Sequence, residues 1–130
     1  MCIALSSGFV LNSLLSGCKT PLGVIKTKSD NDVVTVPLTE FEKGDYKLVR
    51  VSNYDYDLAI QKKPDGTFDT LVLECTHAGQ PVTKTGNTYY CTLHGSVFSH
   101  EGKVMKGPAE RDLRKLASTV SKDVLTIKLR

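Results

Sequence analysis

An all-β domain, either a sandwich or a barrel, is the fold class this sequence predicts. Three observations carry that expectation. Apolar residues come in short β-branched or alternating runs, turn residues punctuate those runs at close intervals, and no sustained 3.6-residue period appears along the 130 residues. No internal repeat is visible, and the length suits one domain with a sizeable apolar core.

The first 18 residues differ from the rest. Cys2 to Leu15 carries no charge and is too short to span a bilayer, which takes roughly 20 apolar residues. It has the length of a signal-peptide apolar region. The stretch Leu15-Ser16-Gly17-Cys18 resembles a bacterial lipobox, with Cys18 as the lipidated residue and mature N-terminus. It departs from the usual leader in that no Lys or Arg precedes the apolar run. Residues 19–32 are polar, are broken by Pro21 and Gly23, and read as a tether. The domain proper is expected over 33–130.

Within it, Val33–Val36 is β-branched and stops at Pro37, while Lys47–Val51 and Asp57–Gln61 alternate with period two. The turn Pro64-Asp65-Gly66 leads into Phe68–Leu73. Thr88–Tyr90 is a short aromatic strand ending at Cys91, and Val97-Phe98 reaches Val104 through the turn His100-Glu101-Gly102. Leu116–Val120 and Val124–Leu129, joined at Ser121-Lys122-Asp123, form a closing hairpin, and only Glu110–Lys115 reads as helical.

Composition excludes some functions. The net charge is +3, with no dense Lys/Arg block and no aromatic-basic stripe, so nucleic acid is not an expected partner. The four cysteines do not read as a disulfide framework: Cys2 and Cys18 lie in the leader, whereas Cys75 and Cys91 each travel with a histidine. His100 reads as a solvated turn residue, and Arg111, Arg114 and Lys115 as a solvated face.

The chemistry concentrates in Cys75-Thr76-His77-Ala78-Gly79 and Cys91-Thr92-Leu93-His94-Gly95-Ser96. Thirteen residues separate His77 from Cys91. Two thiols and two imidazoles at neighbouring strand ends make a mixed sulfur–nitrogen metal site, held by a β-scaffold. A structural zinc module could use the same four donors, but zinc fingers keep their Cys pair and His pair apart in sequence, and here the two types interleave.

Read further, the pattern resembles the Rieske iron–sulfur domain. The likeness covers C-x-H and C-x-x-H, Gly79 after the first His, Gly95 and Ser96 after the second, and Gly107-Pro108-Ala109 as the family's proline loop. Leu38–Phe41 to Gly44 and the Asp65-Gly66 hairpin also fall where family members carry similar elements, so the likeness runs over roughly residues 34–129. It implies an antiparallel β-sandwich with two cluster-binding hairpin loops and one 2Fe–2S cluster. Cys75 and Cys91 would bind one iron, and His77 and His94 the other. Two neutral imidazoles in place of two thiolates make the cluster less negative, so it accepts an electron more readily.

The neighbouring positions set the branch of the family. Members from cytochrome bc complexes carry an extra Cys in each loop, joined as a disulfide; Gln80 and Leu93 stand at those positions here. Those members also aim a Ser and a Tyr hydroxyl at the cluster sulfurs. Ser96 keeps the first, and Phe98 replaces the second. One hydrogen bond fewer implies a potential below the bc-complex type. Pro108 would help cover the cluster.

The resemblance thus implies a one-electron transfer protein with redox-protein donor and acceptor. Cys18 would tether it to a membrane in a bacterial cell envelope; an unprocessed leader would leave it cytoplasmic. The alternatives are a ferredoxin component or small subunit of an oxygenase or other oxidoreductase, and, remotely, the zinc module. The chain shows no nucleophile–base pair beside the ligands and is too short to include an oxygenase's catalytic iron domain, so it is not a self-contained enzyme by this reading. Reduction raises the proton affinity of the far N–H of each ligating imidazole. The midpoint potential is therefore expected to fall with pH above the oxidised-state pKa of His77 and His94. A potential that stays constant from neutral to strongly alkaline pH would contradict this ligation.

Overall fold

The computed structural model describes Gly23–Arg130. Cys2, Cys18 and the rest of the leader lie outside the described residues. Twelve strands follow in order among them: β1 Val24–Thr27, β2 Val33–Pro37, β3 Tyr46–Val51, β4 Leu58–Lys62, β5 Phe68–Val72, β6 Thr83–Thr85, β7 Thr88–Tyr90, β8 Val97–Ser99, β9 Val104–Lys106, β10 Lys115–Leu116, β11 Ser118–Ser121 and β12 Val124–Lys128.

They form three sheets. The largest runs β1-β3-β4-β5-β10, a three-stranded sheet runs β11-β12-β2, and a four-stranded sheet runs β6-β7-β8-β9. The pairing is antiparallel except for β1 against β3.

Side chains alternate across a strand, so adjacent apolar residues of β4 and β5 reach opposite faces of the sheet. Leu58 and Ile60 of β4 and Val72 of β5 enter one core with Val34, Val36, Leu125 and Ile127 of the three-stranded sheet. Ala59 and Leu71, one residue out of step, enter a second core with Tyr89 and Phe98 of the four-stranded sheet. The largest sheet is therefore buried on both faces through these two strands. The second core also contains Cys75 and Cys91.

Two sequence expectations are corrected. Part of the expected 19–32 tether is folded: Val24–Thr27 pairs with Leu48–Val51, and Ser29 is buried. Ser29 N–H donates to Asn53 Oδ1 at 2.9 Å, and Asn53 Nδ2 returns a bond to the Ser29 carbonyl. Asn31 and Asp32 take positive φ in a tight turn closed by two Asp30–Val33 backbone bonds. That is turn chemistry, since Asn and Asp tolerate the left-handed region. The stretch escaped recognition because an edge strand needs little apolar surface; Ile25 alone of β1 packs on the core.

The expected helix at Glu110–Lys115 is also absent. Its backbone is spent on distant partners: Leu113 N–H donates to the Gly102 carbonyl and Val72 N–H to the Arg114 carbonyl. Tertiary contacts override the weak local propensity. A 3-10 turn forms instead at Leu38–Phe41, burying Phe41 against Phe68. No helix among the described residues is long and apolar enough to cross a membrane.

If β1 is part of the sheet, amides within Val24–Thr27 will show hydrogen-exchange protection. Free-peptide exchange rates throughout that stretch would return it to a tether.

Candidate metal centre

The two ligand loops are built on one backbone plan. Each has six residues, Cys75–Gln80 and Cys91–Ser96. Each is closed by a cross-strand pair one residue before the Cys and six after: Glu74 with Pro81, and Tyr90 with Val97. The Cys N–H donates to the carbonyl of the last loop residue, Gln80 at 2.7 Å and Ser96 at 2.9 Å. The Gly N–H donates back to the Cys carbonyl, Gly79 at 2.8 Å and Gly95 at 3.0 Å. Both glycines hold positive φ, +68° and +84°, which a side chain would resist. The histidine sits two residues after Cys75 but three after Cys91, so the same loop path presents its imidazole from different steps.

The loops converge at their histidines. Cys75 and Cys91 are free thiols, each only 2 % exposed. His77 and His94 are exposed, and their rings meet edge to face with centroids 4.9 Å apart at 81°. The sulfurs thus lie toward the core and the imidazoles toward solvent. A shallow groove lined by Thr76, His77, Pro108, Glu110 and Arg111 opens beside the first histidine.

The surrounding residues take up the roles in part. Ser96 is fully buried, and its Oγ accepts the Ala109 N–H at 3.0 Å, leaving its own proton to donate. Phe98 is fully buried in the same core as both cysteines and offers no hydroxyl. Tyr89 also lies in that core, but its phenol donates to Tyr46 Oη at 3.1 Å. Burial pushes both phenols up, so they stay neutral hydrogen-bonding groups. Pro108 is exposed, following a cis Gly107–Pro108 peptide, while Ala109 is buried beneath it.

One further expectation needs correction. His100 is not a solvated turn residue: it is half-buried, its Nε2 lies 2.5 Å from Gln61 Oε1, and its ring packs 5.6 Å from Tyr46. Arg114 donates to Tyr54 Oη and to the Leu129 carbonyl, Lys115 pairs with Asp69, and Arg111 reaches the Thr76 carbonyl. All three stay exposed, as a solvated face requires, and make these bonds at the surface.

Two residues near the ligands were missed from sequence. Tyr56 donates to the Gly79 carbonyl at 2.8 Å and so fixes the first loop from 23 residues away; nothing local in the sequence marks it. Burial and the nearby Glu74 carboxylate push its phenol up, which keeps it a donor. Thr76 lies between the candidate ligands Cys75 and His77 and bonds to the Arg111 backbone, a link visible only in three dimensions.

The donors fit a two-metal cluster better than one ion. A buried thiol pair and an exposed imidazole pair would supply two donors to each of two metals.

Comparison with known proteins agrees. The family model described as the Rieske [2Fe-2S] domain matches residues 31–117. The chain is 33 % identical over 103 residues to the chloroplastic cytochrome b6-f complex iron-sulfur subunit of Pisum sativum, covering 75 % of this chain and 44 % of that protein. A cyanobacterial plasma membrane Rieske protein from Synechocystis superposes with TM-score 0.57 at 26 % identity, over 73 % of this chain and 98 % of that one. A structure of reduced oxygenase with oxidised ferredoxin from carbazole 1,9a-dioxygenase shares the fold at TM-score 0.52 and 19 % identity, over 77 % and 95 %. The chain spans less than half the length of the curated relatives it matches.

Ser96→Ala removes a buried acceptor and leaves the Ala109 N–H unpaired, which is expected to cost about 1–3 kcal/mol of apoprotein stability in urea titration. In the loaded protein it is expected to lower the midpoint potential, and Phe98→Tyr to raise it; either opposite shift would remove these residues from control of the cluster.

Proposed function

This chain belongs to the Rieske [2Fe-2S] domain family, and from that premise we propose that it is a one-electron carrier tethered to a bacterial membrane through Cys18. The observation that carries the electron-transfer reading is the polarity of the site, with buried thiols behind and two exposed imidazoles in front. Cys75 and Cys91 would hold one iron and His77 and His94 the other. When bound, the cluster supplies a one-electron couple tuned by its imidazole ligands. The chain's own part is to keep the sulfurs dry, to present the imidazole edges to a redox partner, and to supply the Ser96 hydroxyl as a donor near the thiolates.

The lipid tether is supported by the lipobox-like Leu15–Cys18 and by likeness to a plasma membrane protein. The direction of β1 adds a geometric argument. Thr27 pairs with Val51, at the end where β5 runs on to Leu73 and the first ligand loop, so the chain enters the sheet at Val24 heading toward the ligands. An anchor on Cys18 would be six residue steps from Val24, a reach of ~20 Å at most. Such a tether would keep the domain close to the bilayer, with the exposed imidazoles open to an aqueous redox protein. Diacylglycerol on Cys18 would bring the two acyl chains that stable anchoring needs.

A second reading, a ferredoxin component serving an oxygenase, is favoured by Gln80 and Leu93 in place of the extra cysteines. EPR of the reduced protein during a redox titration tests the cluster: a diamagnetic, colourless protein after iron and sulfide loading would end the electron-carrier reading. Mass spectrometry of the native N-terminus then separates the two readings. A diacylated Cys18 supports the tether, and an intact, unmodified leader would leave the soluble ferredoxin.

A further inference from the structure

The two ligand loops lack a covalent link: Cys75 and Cys91 are free thiols, and Gln80 and Leu93 are both exposed. They are nevertheless joined through a third segment. Ala109 N–H reaches the second loop at Ser96 Oγ, 3.0 Å away and buried. Two residues on, Arg111 reaches the first loop twice. Its carbonyl accepts from Thr76 Oγ1 at 2.5 Å, and its Nη2 donates to the Thr76 carbonyl at 3.3 Å. Thr76 lies directly between the ligands Cys75 and His77, so whatever holds it also holds both. The segment is pinned from behind as well, because Leu113 is buried and its N–H donates to the Gly102 carbonyl.

We propose that Thr76 and Arg111 are positioning residues that latch the 107–111 loop onto the first ligand loop, forming with Ser96–Ala109 a hydrogen-bonded brace across the two loops. This rests on the cluster reading above, because the brace matters by keeping the donors registered and water away from the sulfurs. The groups suit the task. Thr76 supplies a donor from its side chain and an acceptor from its backbone, and Arg111 supplies the complement, so the pair exchanges two bonds in opposite senses. One bond at the half-buried Thr76 is worth about a three- to tenfold change in local opening. The brace is therefore tight enough to hold the loop shut most of the time and weak enough to be tested singly.

Thr76→Val keeps the shape and removes the hydroxyl, Thr76→Ser restores it, and Arg111→Gln removes only the side-chain half. Amide exchange at Ala109 in the apoprotein reads the latch without the cluster. Roughly three- to tenfold faster exchange is expected in Thr76→Val, a smaller rise in Arg111→Gln, and wild-type rates in Thr76→Ser. In the loaded protein, Thr76→Val should release iron faster in chelator by a similar factor. It should also raise the midpoint potential, because water reaching the site favours the more negative reduced state; Thr76→Ser should reverse both. The urea midpoint of the apoprotein should barely move, which separates positioning from general stability. Unchanged exchange at Ala109 together with unchanged iron release in Thr76→Val would overturn the proposal, as would failure of Thr76→Ser to rescue. A wild-type chain that binds no iron would sink the cluster reading, while the exchange measurement would still decide whether the latch exists.

Discussion

The structure depends on one strand pair having no solvent face. Val72 and Leu71 are adjacent residues that point into different cores, as do Leu58 and Ala59 on the strand beside them. Moving β5 by one residue would exchange the residues offered to the two cores and leave neither filled, so its register is fixed from both sides. The next residues after β5 are Leu73, Glu74 and Cys75, with Leu73 N–H held by the Asp57 carbonyl and Val82 N–H returning to Leu73. The first ligand thus leaves a strand that has no freedom to slide. That rigidity is what a redox centre needs, since ligand geometry that changed with oxidation state would cost reorganisation at every transfer.

The second loop acquires the same rigidity by another route. It closes a hairpin between β7 and β8, whose inward residues Tyr89 and Phe98 are paired across the strands and buried. Two loops of different parentage, one linking two sheets and one capping a hairpin, arrive at the same set of backbone bonds. The shared plan places both cysteines at the loop base, where the second core begins, and leaves the histidines on the exposed turn. Burial of sulfur and exposure of imidazole are therefore consequences of loop geometry and need no separate cause.

Much of this was legible in the sequence. Eight strands fell near the expected runs: β2–β5, β7, β8 and β12 bury apolar side chains and so leave a pattern, and exposed β11 is marked by the turn that joins it to β12. The candidate ligands stood out because thiols and imidazoles are rare in this chain and their spacing is restrictive. What stayed hidden was held by backbone or by distance. β1 pairs through an edge with one apolar contact, β6 is three residues of Thr and Lys, and residues 110–115 spend their amides on β5 and on the turn after β8. Tyr56 and Arg111 act on the site through carbonyl groups, which every residue has, so no sequence pattern could single them out.

The same distinction explains how the site manages without a disulfide. A covalent bridge would be visible in sequence as two more cysteines and would lower the entropy of the unfolded chain. Here the linkage is spread over Ser96, Ala109, Thr76 and Arg111, each bond modest and each sharing its partner with the backbone. Such a brace is insensitive to the redox state of its surroundings, because it contains no sulfur to be reduced. The Ser96 hydroxyl in it is fully buried, in the same loop as Cys91. In the proposed reading, loop registration and electrostatic tuning would come from one set of hydrogen bonds, with Ser96 in both.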